Sequence, residues 1–234
     1  MNEKTLGPRL AAAAALVREG VPLYDVGTDH AYLPVHLVSV GRTPSAVASD
    51  VAPGPLRNAA ETVRCAGLSD KIETVMADGL TGIALRPPCD VVIAGMGGEL
   101  TIRILSDCPA VKNGGVSLIL QPMTKSELLR GWLAANGFAI LTERVAKEKK
   151  LYEILACRYD GRPYPLTEEE RYVGRRGARR EDALFFALAE RRLAALSRAA
   201  EGRRRGGEDA GTIRRAAEEL AALLAEKPKT ETKL

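Results

Sequence analysis

The chain has 234 residues, 46% of them hydrophobic and 27% charged, a composition that suits a soluble globular protein with one α/β domain and a smaller appendage. Aromatics make up only 4%, which argues against a binding surface of stacked rings, and a net charge of +4 is too modest to signal a nucleic-acid partner by itself. The excess lies wholly in the last third: residues 1–161 carry 17 Lys/Arg against 17 Asp/Glu, and residues 162–234 carry 17 against 13.

In chain order, the alanine run at 11–15 is flanked by Arg9, Arg18 and Glu19. It reads as a helix over 6–19 stopped by Gly20, rather than as a signal peptide. No apolar stretch is long enough to cross a membrane. Short apolar runs then alternate with helical patterns. Strands are expected at 23–26, 46–49, 72–76, 91–94 and 117–121, and helices at 33–40, 55–66, 100–106 and 125–135. Gly41, Gly67 and Gly137 stand where helix C-caps belong. This alternation predicts a parallel sheet with helices on both faces.

The pattern changes after Gly137. Two strand-like runs, 138–144 and 151–158, are separated only by a charged stretch, which predicts a β-hairpin. A doubly wound sheet that ends in an antiparallel hairpin is the class I methyltransferase architecture, whereas dinucleotide dehydrogenases continue with parallel strands. From Asp160 the composition shifts. Arg162-Pro163-Tyr164-Pro165 reads as a linker, and Thr167-Glu168-Glu169-Glu170 matches a capping box. Amphipathic patterns over 182–200 and 212–226, joined by a Gly/Arg-rich turn, predict a coiled-coil-like helical hairpin. The expected domains are therefore 1–161 and 162–234.

The most telling stretch is Asp25-Val26-Gly27-Thr28-Asp29-His30-Ala31-Tyr32, at the turn from the first strand to the next helix. A pyrophosphate-binding corner needs Gly-x-Gly-x-x-Gly, so that bare N–H groups can approach phosphate. Here Asp29 stands at the second glycine position, and a carboxylate there repels phosphate. It suits a ligand that is cationic or rich in donors, such as S-adenosylmethionine.

Further signals fall at the ends of the later strands, where open α/β sheets hold their ligands. Asp50 after the second strand can accept from both hydroxyls of a ribose. Asp78, followed by Gly79, could accept from an adenine amino group. Ala94-Gly95-Met96-Gly97-Gly98 follows the fourth strand, where three glycines allow close backbone approach. Gln121, before Pro122, offers a donor and an acceptor to a base edge. Each of these alone also fits a loop or cap role, and His30 fits a positioned loop residue as well as a base. The argument lies in their coincidence: acids after strands one, two and three, then a glycine turn after strand four.

The four cysteines, Cys65, Cys89, Cys108 and Cys157, show no C-x-x-C pairing, and only His30 and His36 could join them. That argues against a metal site and against a disulfide framework, and fits a cytoplasmic protein.

Asp25-Val-Gly-Thr-Asp-His-Ala-Tyr-Leu-Pro34, Gly54-Pro55-Leu56, Asp78-Gly79-Leu80, Ile93-Ala-Gly-Met-Gly-Gly98, Leu118-Ile-Leu-Gln-Pro122, Leu129-Arg-Gly-Trp-Leu133, Asn136-Gly137-Phe138 and Tyr152-Glu153 together resemble one family. It is the bacterial tRNA (adenine(22)-N1)-methyltransferase family, and the likeness covers about residues 5–160. The resemblance implies S-adenosylmethionine as methyl donor, tRNA as partner, a class I fold and a C-terminal helical domain. Carried onto this sequence, it gives Asp25, Gly27, Asp29, His30, Asp50, Asp78, Gly79, Ala94 and Gly95 as cofactor-binding residues. Met96, Gly97, Gly98, Gln121 and Pro122 would hold the target base, and Asp29 and Tyr32 are the catalytic candidates. The tail departs from the family's Gly-Pro-x-Leu-like segment with an Arg-rich run, in which Arg175, Arg176, Arg179 and Arg180 read equally as a phosphate-contacting patch or a solvated face. Two other readings stay open, a small-molecule methyltransferase and a non-catalytic RNA-binding protein. The oligomeric state is not set by the sequence, and a monomer is compatible with it.

Overall fold

The computed structural model describes residues 6–175, 177, 182–207 and 209–226. The chain divides into two compact units, one ending at Tyr164 and the other starting at Pro165. Tyr164 belongs to the first: its hydroxyl donates to the Phe138 carbonyl at 3.2 Å.

The first unit is built on seven strands: β1 (Leu23–Val26), β2 (Ala46–Asp50), β3 (Ile72–Met76), β4 (Cys89–Gly97), β5 (Val116–Thr124), β6 (Phe138–Lys147) and β7 (Leu151–Tyr159). They lie in the order β3-β2-β1-β4-β5-β7-β6. The five strands from β3 to β5 pair in parallel, and β7 runs antiparallel to both β5 and β6. The hairpin therefore inserts its second strand next to the parallel sheet and leaves its first at the edge. The expected doubly wound sheet with a terminal antiparallel hairpin is present.

The helices of this unit are α1 (Pro8–Ala14), α2 (Tyr32–Ser39), α3 (Pro53–Cys65), α4 (Gly98–Ser106) and α5 (Ser126–Ala135). Two apolar clusters fill the faces of the sheet. One gathers Val91, Ile93, Leu118, Leu120, Leu129, Leu133 and Phe138; the other gathers Leu23, Leu33, Leu37, Val63, Val92, Ile119 and Ile154. Adjacent residues of β4 and β5 serve opposite clusters, as the two-residue period of a strand covered on both faces requires.

The structure departs from the sequence expectation in places that have tertiary causes. The first helix ends at Ala14 instead of running to 19. Arg18 is drawn out of helical register by the fully buried Asp90, which accepts from both the Arg18 backbone N–H and Nε at 2.6 Å. Strands β4 and β5 extend beyond the expected ends, and their pairing is irregular between Ala94 and Gly97. The charged stretch after 144 continues as strand to Lys147, which leaves only a three-residue turn in the hairpin.

The second unit contains α6 (Glu168–Val173), α7 (Ala183–Arg205) and α8 (Gly211–Ala225). Thr167 and Glu170 close a capping box at the start of α6. Helix α7 starts where Asp182 accepts from the Leu184 N–H, and α7 packs along α8. The expected Gly/Arg-rich turn at 201–211 is shorter than its composition implied. Glu201 pairs with Arg204 and Arg205 and carries the helix one turn further. Among the described residues no helix is long and apolar enough to cross a membrane.

Candidate functional site

The chain reverses direction across the sheet between β1 and β4. From β1 it proceeds outward to β2 and β3, then returns to the other side of β1 for β4 and β5. A crevice at the carboxyl ends of the strands opens at such a point, because the connections diverge from it in opposite directions. Every strand-end residue singled out from the sequence in the first unit falls on this edge.

The turn after β1 is built from unusual backbone. Gly27 has φ of 75°, Asp29 44° and Ala31 53°. A Cβ on Gly27 would meet the Met96 Cε, the end of a flexible side chain that can swing aside, so it is the positive φ that calls for glycine here. Asp29 and Ala31 hold left-handed conformations that most L-residues avoid, a feature that concentrates at functional turns. The Asp29 side chain is 68% exposed, and the His30 Nε2 lies 3.7 Å from its Oδ2. The His30 ring stacks on Tyr32 at 5.1 Å between centroids.

Asp25 is buried at the root of the same turn and accepts from Thr28 Oγ1 at 2.6 Å. Burial pushes its carboxyl up to about 6, the Thr28 hydroxyl pulls against that, and the charge of Asp50 adds to the rise. A buried acid that is costly to ionise is suited to meeting a cationic or donor-rich group. Asp50 is half-buried, and its Oδ1 accepts from the Ala52 N–H at 2.8 Å, which fixes the start of α3.

Asp78 is paired. Both its oxygens accept from Arg103 of α4, at 2.9 and 3.1 Å, and the guanidinium holds its carboxyl below the usual carboxylate value. An approaching amino group would have to share that carboxylate with Arg103. Gly79 is buried against Ile104 of α4.

After β4, Ala94 is half-buried and Gly95 exposed, while Met96 and Gly97 are half-buried. Two residues expected to meet the base are engaged elsewhere. Gly98 is buried as the first residue of α4, where a Cβ would overlap the Lys125 carbonyl oxygen; its missing side chain serves the close contact between the β4–α4 and β5–α5 corners. Gln121 is 1% exposed. Its Oε1 accepts from Gly95 N–H at 3.1 Å and from Arg9 Nη1 at 2.8 Å, and its Nε2 donates to the Pro122 carbonyl at 2.9 Å. Gln121 therefore braces the ends of β4 and β5 in place of the expected base-edge contact. Pro122 is buried beside it.

In the second unit, exposed Arg175 lies 3.3 Å from Glu170. Arg176, Arg179 and Arg180 lie outside the described residues.

Sequence reasoning missed Arg9, Thr28 and Arg103. Arg9 and Gln121 are 112 residues apart, and no local pattern signals that meeting. It also missed the buried cluster behind the β5 corner. Arg130 donates to Glu143 and Glu153 at 2.7 Å, and Ser126 Oγ donates to Glu153 at 3.0 Å. Burial alone would lower the Arg130 value, but the two carboxylates hold it above its ordinary one.

The acid-rich turn fits an adenosine-bearing cation and not a pyrophosphate. Comparison with known proteins agrees with that chemistry. Residues 6–155 match the family model described as a methyltransferase domain. A curated relative, the tRNA (adenine(22)-N(1))-methyltransferase of Bacillus subtilis, is 35% identical over 158 residues, which cover 67% of this chain and 66% of that one. The crystal structure of the B. subtilis m1A22 tRNA methyltransferase is 28% identical, with a TM-score of 0.74 over 95% of this chain and 97% of that chain. A Streptococcus pneumoniae protein crystallised with S-adenosyl-L-methionine is 32% identical, with a TM-score of 0.80 over 94% of this chain and 100% of that chain. By these matches the chain belongs to the methyltransferase-domain family and, within it, to the bacterial tRNA (adenine(22)-N1)-methyltransferase family.

Proposed function

We propose that this chain transfers a methyl group from S-adenosylmethionine to N1 of an adenine in tRNA, with position 22 as the target. The observation that carries the reading is the turn after β1. Asp29 stands where a phosphate-binding corner needs glycine, and buried Asp25 lies beneath it, in a chain that shares its family with the B. subtilis enzyme. The S. pneumoniae relative binds S-adenosylmethionine on the same fold.

When bound, S-adenosylmethionine supplies an electrophilic methyl on a sulfonium. The residues of the chain do the rest. Asp25 would meet the donor-rich part of the ligand, and the Asp50 carboxylate would accept from the ribose. N1 of adenine carries an in-plane lone pair and attacks without first losing a proton. The base must leave its stack to reach the crevice. As the methyl moves, positive charge builds on the adenine ring. A carboxylate aimed at that ring favours the transition state over the ground state, and Asp29, exposed at the crevice mouth, is placed for it. The stacked His30 and Tyr32 rings position the target base and the acid. Alignment accounts for much of the rate. The second unit, with its basic tail, serves tRNA recognition, and the reaction belongs in the cytoplasm, where tRNA is found.

The test is incubation with labelled S-adenosylmethionine and unmodified tRNA, followed by nucleoside analysis. The expected product is 1-methyladenosine, formed on tRNA with adenine at position 22 and not on the same tRNA with guanine there. Label in another nucleoside, or only in small metabolites, would overturn the reading.

A further inference from the structure

Arg9 stands in the first turn of α1, a helix that packs against β4, β5, β6 and β7. Its Nη1 donates to Gln121 Oε1 at 2.8 Å, and its guanidinium carbon lies 5.8 Å from the centre of the Tyr152 ring. The same Nη1 is 3.8 Å from the position of a Cβ on Gly95, so the guanidinium sits over the exposed glycine at the end of β4. Contacts from β4, β5 and β7 thus fix one half-buried cation at the carboxyl ends of β4 and β5. Among the described residues no carboxylate lies within ion-pair distance of it.

A guanidinium has five N–H donors in a planar fork. One bond to an amide oxygen and one ring contact aim the fork without neutralising it. The acids expected to meet the cofactor follow β1, β2 and β3, while Arg9 stands on the other side of the switch point, over β4 and β5. The Glu148 carboxylate lies against Gly7, two residues before Arg9, and Glu99 and Glu127 stand exposed in the first turns of α4 and α5, so that half is not uniformly positive. A guanidinium held in this way, with no ion-pair partner among the described residues, suits an anion. It does not suit the adenine ring, which gains positive charge as it is methylated.

We propose that Arg9 is a substrate-contacting residue that grips a backbone phosphate of the tRNA beside the nucleotide inserted into the crevice, and that Gln121 and Tyr152 are positioning residues that aim it. The inference rests on the tRNA reading above and adds a specific anchor to it. The anchor holds the strand where the target base leaves its stack, on the side of the crevice away from the acids.

The experiment compares the full chain with Arg9→Gln and Arg9→Lys. Glutamine is chosen over alanine because it removes the charge and the fork while keeping a polar side chain and most of the aliphatic stem. Each protein is assayed for S-adenosylmethionine affinity, for tRNA affinity across a salt series, and for single-turnover methylation. The Gln variant is expected to bind S-adenosylmethionine as the parent does, to bind tRNA about tenfold more weakly, and to show a log–log salt slope shallower by about one. The Lys variant should restore the slope, because it keeps the charge, and recover only part of the rate, because it lacks the fork. If the parent methylates tRNA and the Gln variant keeps the parental tRNA affinity and slope, Arg9 is not a phosphate contact, whatever happens to the rate. Loss of S-adenosylmethionine binding in both variants would equally overturn the assignment, by showing a structural role. A parent that methylates no tRNA would overturn the functional reading itself.

Discussion

Asp25 and Thr28 are joined by a buried 2.6 Å hydrogen bond, and that one bond only partly offsets the cost of burying the carboxylate, which stays raised to about 6. The folded protein thus favours the protonated acid relative to the unfolded chain. The resulting stability is fully present below the ordinary value of 3.8 and is lost as pH rises through about 6. A cationic or donor-rich ligand reverses the preference and needs the ionised form. S-adenosylmethionine affinity should therefore plateau above pH 6 and weaken below it, as titration calorimetry across pH 5–8 would show. Asp25→Asn should abolish that pH dependence and weaken binding, yet make the ligand-free protein more stable at pH 7, by up to about 3 kcal/mol. Unchanged affinity in this variant would remove Asp25 from the cofactor site.

Asp29 combines a positive φ with high exposure. Asp29→Gly should leave thermal stability unchanged or slightly higher, since glycine takes that backbone conformation without strain. Methyl transfer should fall about 100-fold or more, the scale typical of losing one transition-state electrostatic partner. Full turnover on a tRNA with adenine at the target position would exclude Asp29 from the mechanism.

The Arg130–Glu143–Glu153 cluster ties α5 to the β6–β7 hairpin behind the β5 corner. Removing the Arg130 guanidinium would take the shared counter-charge from two buried carboxylates. Arg130→Ala should cost about 3–5 kcal/mol in urea unfolding. A loss under 1 kcal/mol would mean that water reaches the cluster.

Gly98→Ala places a methyl group against backbone, which cannot swing aside as a side chain can. The variant should be destabilised by about 1–3 kcal/mol. A wild-type unfolding midpoint would show that the β4–α4 and β5–α5 corners are looser than their contact implies.

A chain ending at Tyr164 should keep S-adenosylmethionine affinity and lose tRNA affinity, measured by calorimetry and filter binding respectively. Equal tRNA binding by the shortened chain would refute a recognition role for Pro165–Leu234.

Much of this was legible in the sequence because it is local. The bounds of β1 and β3 follow from apolar runs ended by turn residues, and the capping box at Thr167 from two residues three apart. The acids after β1, β2 and β3 could be placed on one edge because parallel strands all end there. What escaped depends on meetings across the fold. Asp90 cuts α1 short from 72 residues away, and Gln121 turns inward because Arg9 and Gly95 claim its oxygen. The packing role of Gly98 was hidden for a related reason. A glycine that admits a ligand and one that admits a neighbouring carbonyl look the same in one dimension.

The acidic turn after β1 has a consequence for selectivity inside a cell. ATP and the nicotinamide dinucleotides share the adenosine half of S-adenosylmethionine, so contacts to base and sugar alone would leave the crevice open to competition from them. Asp29 at the usual phosphate position would make their polyanionic arms unwelcome while leaving a sulfonium arm unopposed. The same repulsion would push the anionic chain of a tRNA toward the rim, so that only an uncharged base is drawn inside.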